Sequence, residues 1–130
     1  MNPQIAEVIT SLLLVLSSLQ IELDQRLEKK IIHPIDNLTF FELPFELQQV
    51  ALCESSGIQS IGNKTLKSKT GDLGIMQINE RVHGKTALSL GLNLHDPNDN
   101  MEYGLWLYKK NGLKDWKASR HCWSKKLTLK

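Results

Sequence analysis

The chain has only two cysteines, Cys53 and Cys122, and no Cys-x-x-Cys or His-x-x-x-His spacing accompanies them. That scarcity argues against a zinc site, and no metal or cofactor is expected. Internal repeats, a Gly-rich phosphate loop and a base-reading motif are also missing. Solenoids, nucleotide-dependent enzymes and sequence-specific nucleic-acid binders therefore drop out. Positive charge is absent at the start: Met1 to Glu7 carry no Lys or Arg, and the uncharged run Val8 to Ile21 spans only fourteen residues. From sequence this run is short for a membrane span. It has the length of a signal-peptide apolar region but lacks the positive flank and the small-x-small cleavage site. The histidines, His33, His83, His95 and His121, show no nucleophile or metal spacing and read as surface or loop residues.

What is present fits one globular domain. The 130 residues are 41% hydrophobic and 23% charged, enough to bury a core without metal or dense disulfides. The net charge of +2 conceals an uneven distribution: from Lys109 onward eight Lys and Arg face one acid, Asp115. Such an end either attracts an anionic polymer, an acidic membrane or nucleic acid, or is simply solvated. In an oxidising compartment the available intrachain disulfide joins Cys53 and Cys122; in a reducing one they are two buried thiols.

Leu12, Leu16, Leu19, Leu23, Leu27 and Ile31 recur every three or four residues, one face of a long N-terminal helix. This helix, residues 1–32, is read as an export signal or anchor running into an amphipathic segment. His33-Pro34 stops it, and 33–44 is a linker with Phe40, Phe41 and Leu43 as packing contacts. Pro44 suits the first turn of a new helix that Gly57 terminates. On that helix Leu47, Val50 or Ala51, and Glu54 fall on one face, so Glu54 occupies an apolar stripe. Desolvation by Leu47, Val50, Ile75 and Met76, the negative helix end and repulsion from Asp72 would each raise its pKa. A carboxylic acid so placed can donate a proton near neutral pH. The plainer reading is an acid filling a half-exposed last turn.

Residues 57–70, with Lys64, Lys67 and Lys69, read as a polar loop, and Gly71-Asp72-Leu73-Gly74 as a tight turn. If the next segment is extended, Ile75, Gln77 and Asn79 share one side. The amides of Gln77 and Asn79 suit hydroxyl and N-acetyl groups, or else are the polar ends of a short strand. Thr86 to Leu92 reads as a short helix ending at Gly91. A better-signalled helix follows, with Asp96 as N-cap, Pro97 first, and Lys109-Lys110 before Gly112. Met101, Leu105 and Tyr108 form its buried stripe, while Tyr103, Trp106 and Leu107 point to a second core contact or a groove. Residues 115–123 form a last short helix whose Trp116, Ser119, Cys122 and Trp123 face the domain.

Glu54-Ser55, then Ser68-x-x-Gly71-x-x-Gly74-Ile75-Met76-Gln77-Ile78-Asn79, then Asp96-Pro97-x-x-Asn100-Met101-x-x-Gly104, resembles the soluble lytic transglycosylase domain of the lysozyme-like superfamily over residues 45–123. The segment around Asp72 is similar to that of the small transglycosylases associated with bacterial secretion and conjugation machines. The resemblance implies a mainly α, lysozyme-like single domain with at most a small hairpin, followed by a basic tail, 124–130. It also implies cleavage of the MurNAc–GlcNAc β-1,4 bond of peptidoglycan to give 1,6-anhydro ends. Glu54 would be the acid and base and Asp72 its partner; Ser55, Ile75, Met76, Gln77, Asn79 and Tyr103 would contact the glycan. A substrate outside the cytoplasm favours the Cys53–Cys122 disulfide. A monomer at the cell envelope, with a secretion machine as the partner the resemblance implies and without nucleic acid, is expected. Many larger transglycosylases have Ala at the position of Asp72 and Tyr at that of Leu107, and lack so long a loop after the catalytic Glu. Asp72 instead matches the second carboxylate of lysozymes, which keeps hydrolysis open. An inactive glycan-binding module is the further alternative.

Overall fold

A computed structural model describes residues 2–32 and 38–128, with the side chains of 26–32 set aside. The His33-Pro34 stop, the start of the linker, the side chains of Leu27 and Ile31, and Lys130 lie outside the described residues. The elements are α1 (Pro3–Ile32), α2 (Phe45–Ser55), β1 (Ser60–Ile61), β2 (Lys64–Thr65), β3 (Asp72–Leu73), β4 (Ile78–Asn79), α3 (Glu80–Ser89), α4 (Pro97–Asn111) and α5 (Arg120–Thr128). One-turn 3₁₀ structure at Phe40–Glu42 precedes α2, and a 3₁₀ segment, Lys114–Ser119, precedes α5. The fold is mainly helical and lysozyme-like, with two small antiparallel hairpins, β1–β2 and β3–β4.

Helix α4 runs through the middle of the domain. Its caps are those read from the sequence: Asp96 accepts a hydrogen bond from Asp99 N (3.0 Å), Pro97 opens the helix, and Gly112 follows it at φ +65°. Its burial is different. Residues 100 to 105 are all buried, as is Leu107, whereas Tyr108 is only half-buried. The single stripe expected from Met101, Leu105 and Tyr108 is thus corrected to a helix covered on nearly every side. Gly104 permits this closeness, since a Cβ there would come within 2.8 Å of Met76 Cγ.

Three other boundaries move. The short helix expected at Thr86–Leu92 is α3, which begins earlier at Glu80 because the Asn79 side chain accepts from Val82 N and caps it. Residues 57–70 are not all loop: β1 and β2 pair Ser60 with Thr65 and Ile61 with Lys64 around Gly62 at φ +61°. The C-terminal helix is split at Trp116, whose φ of −110° and ψ of 25° are not helical, and α5 then runs on to Thr128. Trp116 and Trp123 are buried there.

Helix α1 is apolar over Pro3–Gln25, 23 residues of mean hydropathy 1.6, and none of that stretch is buried. About 20 residues suffice to cross a bilayer, and this stretch, which takes in Glu7 and Glu22, has that length where the uncharged run alone has fourteen. Leu12, Leu13, Leu14, Val15 and Leu16 are exposed on successive sides. Together with the disulfide below, this apolar helix suggests an extracytoplasmic location.

Cys53 on α2 and Cys122 on α5 form that disulfide, closing a loop of 69 residues. Chain entropy assigns such a closure about 4 kcal/mol. Replacing both cysteines by Ser should lower the unfolding free energy by roughly that amount, within the ~2–5 kcal/mol seen for native bridges. Denaturant titration of the wild type, with and without reductant, and of the double variant checks this.

Candidate active site

The chain between β3 and β4 makes a four-residue turn, residues 74–77. The tight turn expected at 71–74 is therefore displaced by three residues, and the extended segment expected at 75–79 is corrected. Gly74 lies at φ +69° and Gln77 at φ +50°, so the backbone reverses where alternation would have continued. A Cβ on Gly74 would collide with Gln59 and fall 2.6 Å from Asn100 Nδ2.

The turn is driven into the core, where water cannot satisfy its peptide groups, and side chains from four parts of the chain do so instead. Gln59 Oε1 accepts from Ile75 N (2.8 Å), and Asn100 Oδ1 accepts from Met76 N (2.9 Å). Ser55 Oγ donates to Ile75 O (2.6 Å), and Trp116 Nε1 to Met76 O (2.9 Å). Asn100 Nδ2 also reaches Leu73 O and Leu94 O, each at 2.9 Å. Asn100 is fully buried with its amide saturated.

This clamp carries Asp72 at its entry. Asp72 Oδ2 accepts from Ser68 Oγ (2.5 Å) and Thr70 Oγ1, and Oδ1 accepts from Asn79 Nδ2 (2.9 Å). Partial burial pushes this carboxyl up, but the bonds from Ser68, Thr70 and Asn79 outweigh it and hold the group below the usual carboxylate range. It is ionised at neutral pH.

Glu54 sits in the last turn of α2, which Ser56 ends in the left-handed region (φ +58°) ahead of Gly57. Its side chain is half-buried, not fully enclosed. Ser119 Oγ, at the end of the 3₁₀ segment, donates to Oε1 at 2.5 Å. Burial pushes the Glu54 carboxyl up, the Ser119 bond pulls it down, and the negative charge of Asp72 adds to the rise; the net position is above the usual range. Two carboxyls in one field thus have pKa values moved in opposite directions, the pattern of an acid set against a permanent anion.

The other expected residues divide by what they touch. Ser55 is buried against Ile75 O and positions the turn. Ile75 and Met76 are buried beneath it. Asn79 spends its amide on Asp72, Thr70 O and the α3 cap. Gln77 is half-buried and donates to Gly74 O (2.9 Å), while its Oε1 accepts no hydrogen bond from the described residues, so it keeps an acceptor for a ligand. Tyr103, expected beside the glycan, is fully enclosed, and its hydroxyl is 3.0 Å from His83 Nδ1. His83, read as a surface or loop residue, lies on α3 and is half-buried against Tyr103. Burial holds its imidazole below the usual range against the pull of Asp115, with Lys110 pushing the same way as burial. His95 and His121 are exposed, and His33 lies outside the described residues.

For four residues the sequence reading missed the role: Ser119 as the Glu54 donor, and Gln59, Asn100 and Trp116 as clamp. Signals were there for three of them: Trp116 and Ser119 share the face turned to the domain, and Asn100 stands in the third motif block. Asn100→Ala leaves Met76 N and two carbonyls buried without that partner, and should cost about 2–4 kcal/mol. Thermal and denaturant unfolding measure it; a loss under ~0.5 kcal/mol would remove Asn100 from the clamp.

Searches of curated proteins and of solved structures each found no match. The family model described as Transglycosylase SLT domain matches residues 43–120, more than half of the chain, and the match takes in Glu54, Asp72, the clamped turn and Ser119. The chain belongs to the transglycosylase SLT family.

Proposed function

We propose that the protein is a lytic transglycosylase of peptidoglycan in which Glu54 serves first as acid and then as base. What supports this reading is the placement of the two carboxyls: Glu54 is half-buried and held by Ser119, so burial raises it, while three side-chain donors hold Asp72 and lower it. The Ser119 hydroxyl occupies Oε1 of Glu54, which leaves Oε2 for the proton. That proton passes to the oxygen between MurNAc and GlcNAc as the bond to the muramic C1 breaks. Positive charge then grows at C1, where the fixed charge of Asp72 and the substrate's own N-acetyl group stabilise it. The Glu54 carboxylate takes the proton of the muramic C6 hydroxyl as its oxygen bonds C1. A 1,6-anhydro end results, Glu54 is again protonated, and no water is consumed.

Hydrolysis by a lysozyme route is the second reading, favoured by the ionised Asp72. Against it, both Asp72 oxygens already accept hydrogen bonds, which suits an electrostatic anchor better than a nucleophile. An inactive glycan binder has no need of a raised carboxyl. Anchoring by α1 at the cell envelope completes the proposal; an association with a secretion machine rests on the similarity of the segment around Asp72 alone.

Mass spectrometry of digested cell wall separates the chemistries: products one water lighter than reducing muropeptides support transglycosylation, and reducing ends support hydrolysis. Glu54→Gln should reduce either activity by at least about a thousandfold, and a fully active variant would sink the assignment. Activity needs protonated Glu54, so it falls as pH rises through the raised pKa. Ser119→Ala removes the bond that lowers that pKa and should move the basic limb of the pH–rate profile upward. Asp72→Asn removes the repulsion that raises it and should move the limb downward.

A further inference from the structure

Two links join the end of α2 to the region where α5 begins. One is the Cys53–Cys122 disulfide, and the other is the hydrogen bond from Ser119 Oγ to Glu54 Oε1 at 2.5 Å. They are neighbours in the chain on both sides: Cys53 immediately precedes Glu54 in the last turn of α2, and Cys122 follows Ser119 by three residues, on the first turn of α5. The cysteine Cα atoms are 6.0 Å apart, so a covalent tie holds the two backbones together beside the Glu54 carboxyl.

The hydrogen bond needs such a tie. A serine hydroxyl has one proton to donate, and Ser119 Oγ has a second acceptor within reach, Trp116 O at 3.2 Å. A small increase in the separation of Ser119 from Glu54 therefore hands that proton to the backbone carbonyl and releases the carboxyl. Other contacts hold Ser119 in place only loosely. Helix α5 has nine residues, of which Trp123 alone is fully buried, and so short a helix is marginal without tertiary support. Trp123 Nε1 donates to Trp116 O (3.0 Å), which fastens α5 to the 3₁₀ segment and not to α2. Trp116 in turn is bound to Met76 O, but its own φ and ψ are not helical, which leaves a joint between the clamped turn and Ser119.

We propose that the Cys53–Cys122 bridge is a positioning group for the reaction, keeping the Ser119 hydroxyl on Oε1 of Glu54 and away from Trp116 O; its part in catalysis rests on the function proposed above. The bridge makes and breaks no bond in the cleavage and acts through Ser119. Stability and positioning are separable, because the first needs only a closed loop and the second needs a short link.

The test uses the full chain in three forms: the native bridge, Cys53→Ser with Cys122→Ser, and protein reduced and re-closed with dibromoacetone, whose dithioether keeps the loop shut through a longer link. Carbon-13 NMR titration of the Glu54 carboxyl without substrate reads the contact, and kcat, KM and the pH–rate profile on peptidoglycan read its consequence. The Ser119 bond pulls the Glu54 carboxyl down, so its midpoint should rise in both altered forms, as in Ser119→Ala; Asp72, the charged group acting on Glu54, is the same throughout. The basic limb should move upward with it, and kcat should fall about tenfold while KM stays within roughly twofold. In a Ser119→Ala background, opening or lengthening the bridge should move the midpoint no further. A midpoint that stays put in the dithioether form, one that moves equally with and without Ser119, or a native kcat in the altered forms overturns the inference. The dithioether form decides it if the serine pair fails to fold. Native protein that cuts no peptidoglycan overturns the proposed function, while the midpoints still decide whether the bridge positions Glu54.

Discussion

A buried turn must find hydrogen-bond partners inside the protein, and the arrangement of this domain follows from how the turn at 74–77 finds them. Gln59 from the loop before β1, Ser55 from α2, Asn100 from α4 and Trp116 from the 3₁₀ segment each take one or more of its peptide groups. These residues span the sequence from position 55 to position 116, so the turn forms its contacts only when the whole domain is assembled. Polar side chains in a core cost desolvation and are tolerated when fully satisfied; Asn100, with its amide saturated, meets that condition. In return, the relative positions of β3, α2 and α4 are set by directional bonds rather than by apolar packing alone.

The electrostatics follow from that placement. Asp72 leaves the clamp surrounded by donors and stays charged, while Glu54, on the end of α2, has lost part of its water and has one hydroxyl for company. The Cys53–Cys122 bridge ties α2 to α5 one residue before Glu54 and three after Ser119. It thereby limits how far the hydroxyl and the carboxyl can drift apart. The disulfide is thus close enough to contribute to site geometry as well as to stability.

What could be read from the sequence was mostly local. The caps of α4, the end of α2 near Gly57 and the apolar-face position of Glu54 depend on residues within a turn or two, and they stand in the structure with Glu54 half-buried rather than enclosed. The position of the hairpin turn was misread because Gly71 and Gly74 both permit positive φ; the choice between them is made by Gln59 and Asn100, distant in the chain. Helix α3 was begun too late because its first residues are polar, and its cap, Asn79, looked like a ligand-binding amide. Ser119 could be read as facing the domain, but its partner could not, since that contact is 65 positions away. Tyr103, for which a core contact or a groove were both open, is enclosed and pairs with the half-buried His83, a contact 20 positions away that no local pattern announces. The SLT family match covers the blocks around Glu54, Asp72 and Asn100 that the resemblance had joined as one unit.

The central claim is that one field moves the two carboxyls apart, Glu54 upward through burial and the charge of Asp72, and Asp72 downward through its hydrogen bonds. Carbon-13 NMR titration of the two side-chain carboxyls in the unliganded protein tests it most directly. Two separate midpoints are predicted, Glu54 above the ordinary glutamate value of about 4.3 and Asp72 below the ordinary aspartate value of about 3.9. Midpoints that coincide, or a Glu54 midpoint at or below its ordinary value, would contradict the account.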